Sequence, residues 1–308
     1  MAELEEIMNN TEQTTYLKQL GEIVKKVYNQ TFWDEQKGRY IGCIDIDDVK
    51  HDYGFTFLNL EAIFYNLCIT TDQVKRIYYW LENEPTASGK KDTFTRWIFS
   101  PRSLTMYNPP RYEDKTCWWS MVWEGTEYEG QCQSGGTILY TSFYDICNRA
   151  KYLGPDNAYQ RFTEILNRFS KPDKLSGGSP LFYGEAAQGG PGGGAGSVGV
   201  EGEFAENGLA PASFIYAFLG IDADIYGLHI QPRLPQKLSF IGVKNLNYWG
   251  ANLEIKAKTD YIEIKCNENK NQLDFTLNGE KIDYIENKCF EIYKKISHGQ
   301  TIILKPSL

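Results

Sequence analysis

Apolar residues recur at helical spacing from the start of the chain. Leu4, Ile7, Tyr16, Leu17, Leu20, Ile23, Val24, Val27 and Tyr28 predict a long helix over 3–29. The segment 32–42 then reads as a short hairpin turning at Lys37-Gly38. A second helical pair follows over 55–68 and 72–83, with Asp72 placed as an N-cap and Pro85 stopping the second helix. Residues 86–134 hold no sustained period, and a loop of that length inside a domain is usually functional. Helical spacing returns over 136–153 and 156–169, divided by Gly154-Pro155 and with Asp156 as the expected cap. A glycine-dense loop over 177–202 leads to a last helix over 208–219, closed by Gly220.

From Ile230 the period changes from helical to alternating. Short strands are predicted over 238–243, 253–257, 261–266, 272–277, 289–293 and 301–304, with turns at Asn278-Gly279 and His298-Gly299. The expected architecture is a mainly α domain of helix pairs over 1–225, followed by an all-β sandwich over 226–308. The helix pairs are too irregularly spaced for a solenoid. A helical toroid tolerates long loops at one end and fits better.

Composition sharpens this division. The tail carries 12 Lys/Arg against 9 Asp/Glu, whereas the first 225 residues are net −11 and hold 35 of the 44 aromatic residues. An overall charge of −8 argues against a nucleic-acid partner, which requires a basic footprint. The N-terminal Met1-Ala2-Glu3-Leu4-Glu5-Glu6 lacks the features of a secretory signal, and no stretch approaches the ~18 apolar residues of a membrane span. Seven scattered cysteines without a CxxC pair suit reduced thiols, so a cytoplasmic protein is expected.

Glycosidic bonds are cut between two carboxyl groups, one protonating the leaving oxygen and the other activating water. An acidic, ring-rich domain suits such chemistry, because indole and phenol faces cover the apolar side of a sugar ring. Three carboxylate clusters stand on predicted loops. In the first, Asp45, Asp47, Asp48 and Asp52, the opening Asp-x-Asp looks like a calcium loop but lacks its glycine and distal glutamate, so no metal is expected. It reads either as a solvated turn or as a substrate edge made by His51, Asp52 and Tyr53. The second joins Trp118, Trp119 and Trp123 to Glu124, Glu127 and Glu129, ahead of Gln133. It is either a buried aromatic plug or a sugar-facing wall with an acidic catalyst. The third, Glu201, Glu203 and Glu206, precedes the last helix, where one glutamate would serve the macrodipole but three exceed that need. The glycine run 189–196 lacks a P-loop lysine and suits a loop beside a site better than a phosphate cradle.

Three segments carry a family resemblance. His51-Asp52-Tyr53-Gly54-Phe55-Thr56-Phe57-Leu58-Asn59-Leu60-Glu61-Ala62 resembles the barrel-helix entry of six-hairpin (α/α)6 glycosidases. Gln133-Ser134-Gly135-Gly136-Thr137 is similar to their Q-N-G-G substrate turn, with Ser134 replacing Asn. Tyr226-Gly227-Leu228-His229-Ile230-Gln231-Pro232-Arg233-Leu234-Pro235 resembles the junction between their barrel and a C-terminal β-sandwich. The likeness is to the group around bacterial α-L-rhamnosidases, amylo-α-1,6-glucosidases and cellobiose-type phosphorylases, and covers roughly residues 30–308.

The resemblance implies inverting hydrolysis without a cofactor. It implies Glu206 as general base with Glu203 next, Glu124 or Glu127 as general acid, and an oligosaccharide or glycoside substrate. His51, Asp52, Tyr53, Trp118, Trp119, Trp123 and Gln133 are the expected substrate contacts. A full toroid has twelve helices and about six are read here. Either further helices lie within 86–134, or the chain is the C-terminal half of a longer enzyme. Two other activities share the pattern: a glycoside phosphorylase, and a non-catalytic sugar-binding or assembly subunit completed by a second copy or another chain.

Overall fold

The computed structural model describes residues 1–52, 55–83, 141–169, 208–297 and 299–307. The chain divides into two compact units. One comprises Met1–Leu17, Arg149–Tyr159 and Ala212–Leu308, the other Lys18–Asn148 and Gln160–Pro211.

The predicted N-terminal helix is two helices, α1 (Ala2–Ile7) and α2 (Thr11–Phe32). Asn9 adopts a left-handed backbone, φ 59°, and ends the first. Asparagine enters that region more cheaply than most residues, and apolar periodicity does not register the break. Asn10 then caps α2, its side-chain oxygen accepting the Gln13 N–H at 3.3 Å. The expected hairpin follows as β1 (Trp33–Asp34) and β2 (Arg39–Tyr40), with Trp33 opposite Tyr40. Asp34 folds its turn by accepting the N–H groups of Gln36 and Lys37 at 2.9 and 3.0 Å. A second hairpin joins β3 (Cys43–Ile44) to β4 (Lys50–His51).

Helices α3 (Thr56–Phe64) and α4 (Thr71–Asn83) match the second predicted pair. Thr70, not Asp72, caps α4: the Gln73 N–H reaches Thr70 Oγ1 and Gln73 Oε1 accepts the Thr70 N–H, each at 3.2 Å. This reciprocal pair is a capping box, and Asp72 sits inside the first turn, where its charge favours the helix dipole. Helices α5 (Thr141–Tyr152) and α6 (Pro155–Phe169) come next. Pro155 occupies the first position of α6, whose fixed φ suits a proline. Asp156, expected as the cap, instead accepts the Gln236 N–H at 2.8 Å.

In the unit containing Lys18–Asn148, the core gathers Leu60 and Ile63 of α3, Ile77 and Leu81 of α4, and Ile146 of α5, all buried. Phe64 meets Phe143 and Tyr144 at centroid distances of 5.4 and 5.2 Å, while Asn148 donates to the Leu60 carbonyl at 2.8 Å. The end of α3 therefore lies beside the start of α5, and the two helices run antiparallel. Asn29 ties the core to its edge: it accepts from Tyr40 Oη at 2.8 Å and Gln73 Nε2 at 3.0 Å. Burial, with Cys68 and Glu61 close by, pushes the Tyr28 phenol up to about 12.

The other unit is dominated by antiparallel sheet. Helix α7 (Leu209–Phe214) runs into a π-helical turn, Ile215–Leu219, that stops at Gly220. The strands are β5 (Ile221–Asp224), β6 (Gly227–Ile230), β7 (Ile241–Tyr248), β8 (Ala251–Ala257), β9 (Tyr261–Asn269), β10 (Asp274–Leu277), β11 (Glu280–Lys281), β12 (Phe290–Lys295) and β13 (Ile302–Ser307). They form a five-stranded sheet in the order β11-β10-β13-β6-β5 and a four-stranded one in the order β12-β9-β8-β7. Alternation explains the packing: Leu253 and Ile255 of β8 and Ile262 and Ile264 of β9 are buried, while their polar neighbours face out. Phe275 on the first sheet meets Phe290 and Tyr248 on the second at 5.7 and 6.3 Å. Asn278-Gly279 makes the predicted two-residue turn, both with positive φ, between β10 and β11. Sheet begins at Ile221, earlier than the sequence suggests, because Asp222, Ala223 and Asp224 are all exposed and carry no alternation. Helices followed by antiparallel sheets are thus the architecture. Among the described residues, no helix is long and apolar enough to cross a membrane.

Gly220 has φ 65°, and a Cβ there would stand 2.0 Å from the Gln231 carbonyl oxygen. The same carbonyl belongs to a residue whose N–H donates to Gly220 at 3.0 Å, so neither strand of chain can retreat freely. Gly220→Ala is expected to lower stability by at least about 2 kcal/mol in chemical denaturation.

Asp224 supports a second test. It accepts the N–H groups of Tyr226 and Gly227 at 2.7 and 3.1 Å and stands 2.8 Å from His229 Nε2. Burial opposes its charge, but these hydrogen bonds and His229 outweigh that and hold the carboxyl below its usual range. The stabilisation is therefore complete above the unfolded value of about 3.9 and is lost as pH falls through the lower folded value. Asp224→Asn is expected to flatten the fall in stability as pH drops below about 4, read by denaturation at each pH.

Candidate functional site

Asp52 is the candidate substrate residue whose side chain the structure describes in full. It follows β4 and precedes α3, and its side chain is 4% exposed. Its Oδ2 accepts from Arg39 Nη2 at 2.8 Å, Arg39 Nε at 3.1 Å and Lys37 Nζ at 2.9 Å, and Arg39 Nε also lies 3.4 Å from Oδ1. Arg39 is itself buried, and its guanidinium lies over the Trp80 ring, 4.5 Å from the centroid. Lys37 is 46% exposed, so the cluster reaches solvent on that side.

Local sequence explains the placement. The Asp34 turn brings Lys37 and Arg39 to the same end of the β1–β2 hairpin. Asn59 clasps the following residue, accepting the Tyr40 N–H at 2.8 Å and donating to the Tyr40 carbonyl at 3.1 Å. Arg76 and Trp80 stand one turn apart on α4. Arg76 lies over Trp33, 5.5 Å from its centroid, and bonds Glu35, while Trp80 receives Arg39. Hairpin and helix thus exchange guanidinium–indole contacts in both directions.

The chemistry of this arrangement is specific. A carboxylate that accepts hydrogen bonds from two cationic side chains is held in position as an acceptor. Trp80 adds an indole whose Nε1 is buried without a hydrogen-bond partner, as is Thr56 Oγ1 at the start of α3. Among the described residues, Glu61 is a carboxyl that burial raises above its ordinary value. A second ionic group links three helices: Arg161 reaches Glu164 at 3.0 Å, Glu82 at 3.7 Å and Asp145 at 3.9 Å, and Tyr78 Oη donates to Asp145 at 3.4 Å. Its members are mostly buried, and it reads as helix-to-helix cement.

The acidic cluster divides in two. Asp45 Oδ1 accepts the N–H groups of Asp47 and Val49, each at 2.9 Å, and Asp48 takes φ 59°. These residues build the β3–β4 turn, whereas Asp52 joins Arg39 and Lys37. His51 closes β4, opposite Cys43, and its side chain lies outside the described residues. So do Tyr53, Trp118, Trp119, Trp123, Glu124, Glu127, Gln133, Glu203 and Glu206.

Sequence reasoning did not single out Arg39, Lys37 or Trp80. Arg39 sits in a two-residue strand and Trp80 on the apolar face of an amphipathic helix, and both look structural there. The usable signal was the Asp52 side chain itself, an acid next to a helix entry that needed a cation. No protein-family model matches the chain, and a search of curated proteins returns no match either.

Proposed function

We propose that the chain is a glycoside hydrolase of the six-hairpin type, acting on an oligosaccharide or glycoside with inversion. The observation that carries this reading is the Asp52 constellation. It is a buried carboxylate held by Arg39 and Lys37 at the entry to α3, in the segment whose resemblance makes Asp52 a substrate contact. Helices followed by antiparallel sheets support it, as does the junction segment: Leu228, Ile230 and Pro232 alternate into the core as β6 leaves the sheet. In this reading the helices belong to an (α/α) toroid, whole or partial, and the facing sheets are its β-sandwich. Glu206 or Glu203 is the base, Glu124 or Glu127 the acid, and the chemistry needs no cofactor.

The test is turnover of a panel of aryl glycosides and oligosaccharides. Release of sugar without phosphate supports hydrolysis, and release only with phosphate identifies a phosphorylase on the same scaffold. A second reading rests on α2. Leu20, Ile23, Val24 and Val27 recur along one side of that helix and are exposed. Such a stripe is the surface expected of a subunit completed by another chain. Sugar binding without turnover, together with a stable dimer in light scattering, would favour it.

A further inference from the structure

The exposed stripe on α2 has the spacing of a helix-to-helix seam. Tyr16, Leu20, Ile23 and Val27 follow one another at intervals of four, three and four residues, with Val24 beside them, and all five are exposed. That is the a/d repeat of a two-helix contact, narrower than the face a helix turns to a domain core. The face α2 turns inward is a different one. Thr14 and Asn29 are buried there, and Asn29 accepts from Tyr40 Oη. Seam and inner face lie on opposite sides of the helix, so the seam is left for a second helix.

The stripe is its own complement. Turned end to end, α2 keeps its pattern: Tyr16 exchanges with Val27 and Leu20 with Ile23, about a point between Gly21 and Glu22. A second copy laid antiparallel sets Leu20 against the partner's Ile23 and Tyr16 against the partner's Val27, so a large side chain meets a small one at each end. Charge agrees with that direction. Glu12 stands near the start of α2, and Lys25 and Lys26 near its end. Antiparallel helices therefore bring acid towards base and oppose their dipoles, whereas parallel ones bring like ends together. Beside the seam, Glu12 comes next to the partner's Gln30 and Lys26 next to the partner's Gln19, amides able to donate to the one and accept from the other.

We propose that the chain pairs with a second copy of itself, α2 against α2, antiparallel about a two-fold axis between Gly21 and Glu22. This pairing gives the α2 stripe its occupant and does not depend on whether the chain hydrolyses glycosides. A seam from Tyr16 to Val27 is about 18 Å long. Two such stripes bury on the order of 1,000 Å² in total, the size of a small, reversible interface. The dimer is expected to form at concentrations on the order of tens of micromolar and to separate on dilution.

The test follows the full chain by sedimentation velocity from about 1 to 200 μM. The expected result is a reversible monomer–dimer equilibrium that Ile23→Lys weakens at least about tenfold, because the new charge would enter an apolar seam. Ile23 is exposed, so the variant should keep the wild-type far-ultraviolet circular dichroism. Cysteine variants read the direction. A mixture of Tyr16→Cys and Val27→Cys chains should cross-link those two positions under mild oxidation, as peptide mapping shows. Tyr16→Cys alone should not link to itself, its counterparts lying about 16 Å apart along the antiparallel axis. A monomer throughout the range, a dimer that Ile23→Lys leaves unchanged, or a self-linked Tyr16→Cys chain would each overturn the proposal. Dilution of the wild-type chain decides the first point even where a variant folds poorly. Glycoside turnover by a chain that stays monomeric would overturn the pairing and leave the hydrolase standing, and a dimer without turnover would do the reverse.

Discussion

Arg39→Met is expected to destabilise the unit containing Lys18–Asn148 by about 3 kcal/mol, the low end of the roughly 3–5 kcal/mol lost when a buried ion pair loses one partner. The reason lies at Asp52. Arg39 supplies two close donors to Asp52 Oδ2, and both side chains are largely shut away from water, at 7% and 4% exposed. Methionine preserves the packing over Trp80 but takes both guanidinium donors away from the carboxylate, while Lys37 stays. That remaining lysine is why the low end of the range applies. Asp52→Asn in the Arg39→Met background removes the stranded charge and should recover part of the loss. The measurement is urea denaturation followed by far-ultraviolet circular dichroism. A change below about 1 kcal/mol for Arg39→Met would mean that Asp52 does not depend on Arg39.

The second large effect is on chemistry. Glu206→Gln is expected to lower kcat by about 100- to 10,000-fold, because an amide fills the space of the carboxylate but cannot accept a proton from water. The loss should be similar for every substrate in the panel, since activation of water does not depend on the leaving group. Glu124→Gln and Glu127→Gln make the contrast. Whichever is the acid should lose most on substrates with poor leaving groups and least on nitrophenyl glycosides, whose leaving oxygen needs no proton. Unchanged kcat in Glu206→Gln removes it as base and passes the role to Glu203.

Much of the fold was legible because periodicity and turn chemistry are local. Helices α4 and α6 show their apolar stripes directly, and Asn278-Gly279 names its turn. The misreadings arose where a single side chain outweighed the pattern. Asn9 ends α1 inside an unbroken apolar period, and Thr70 takes the capping role expected of Asp72 because Gln73 answers it. Asp156 was drawn from its own helix to a backbone N–H at Gln236, eighty residues on. The site was harder for the same reason. Asp52 was legible as an acid at a helix entry, but Arg39 lies 13 residues earlier and Trp80 on the far side of α3 in the chain. Only folding brings a hairpin cation between a helix indole and a loop carboxylate. The aspartate cluster also hid two roles in one run of residues: Asp45 builds a turn, while Asp52 takes a buried ion pair.

The proposed hydrolase is tested most directly by the anomeric form of the first sugar released. Following hydrolysis of a productive glycoside by proton NMR, the account predicts phosphate-independent turnover and initial product of inverted configuration, lost in Glu206→Gln. Initial product of retained configuration would contradict the inverting mechanism. A chain that binds glycans but releases sugar from none of them would contradict the hydrolase itself.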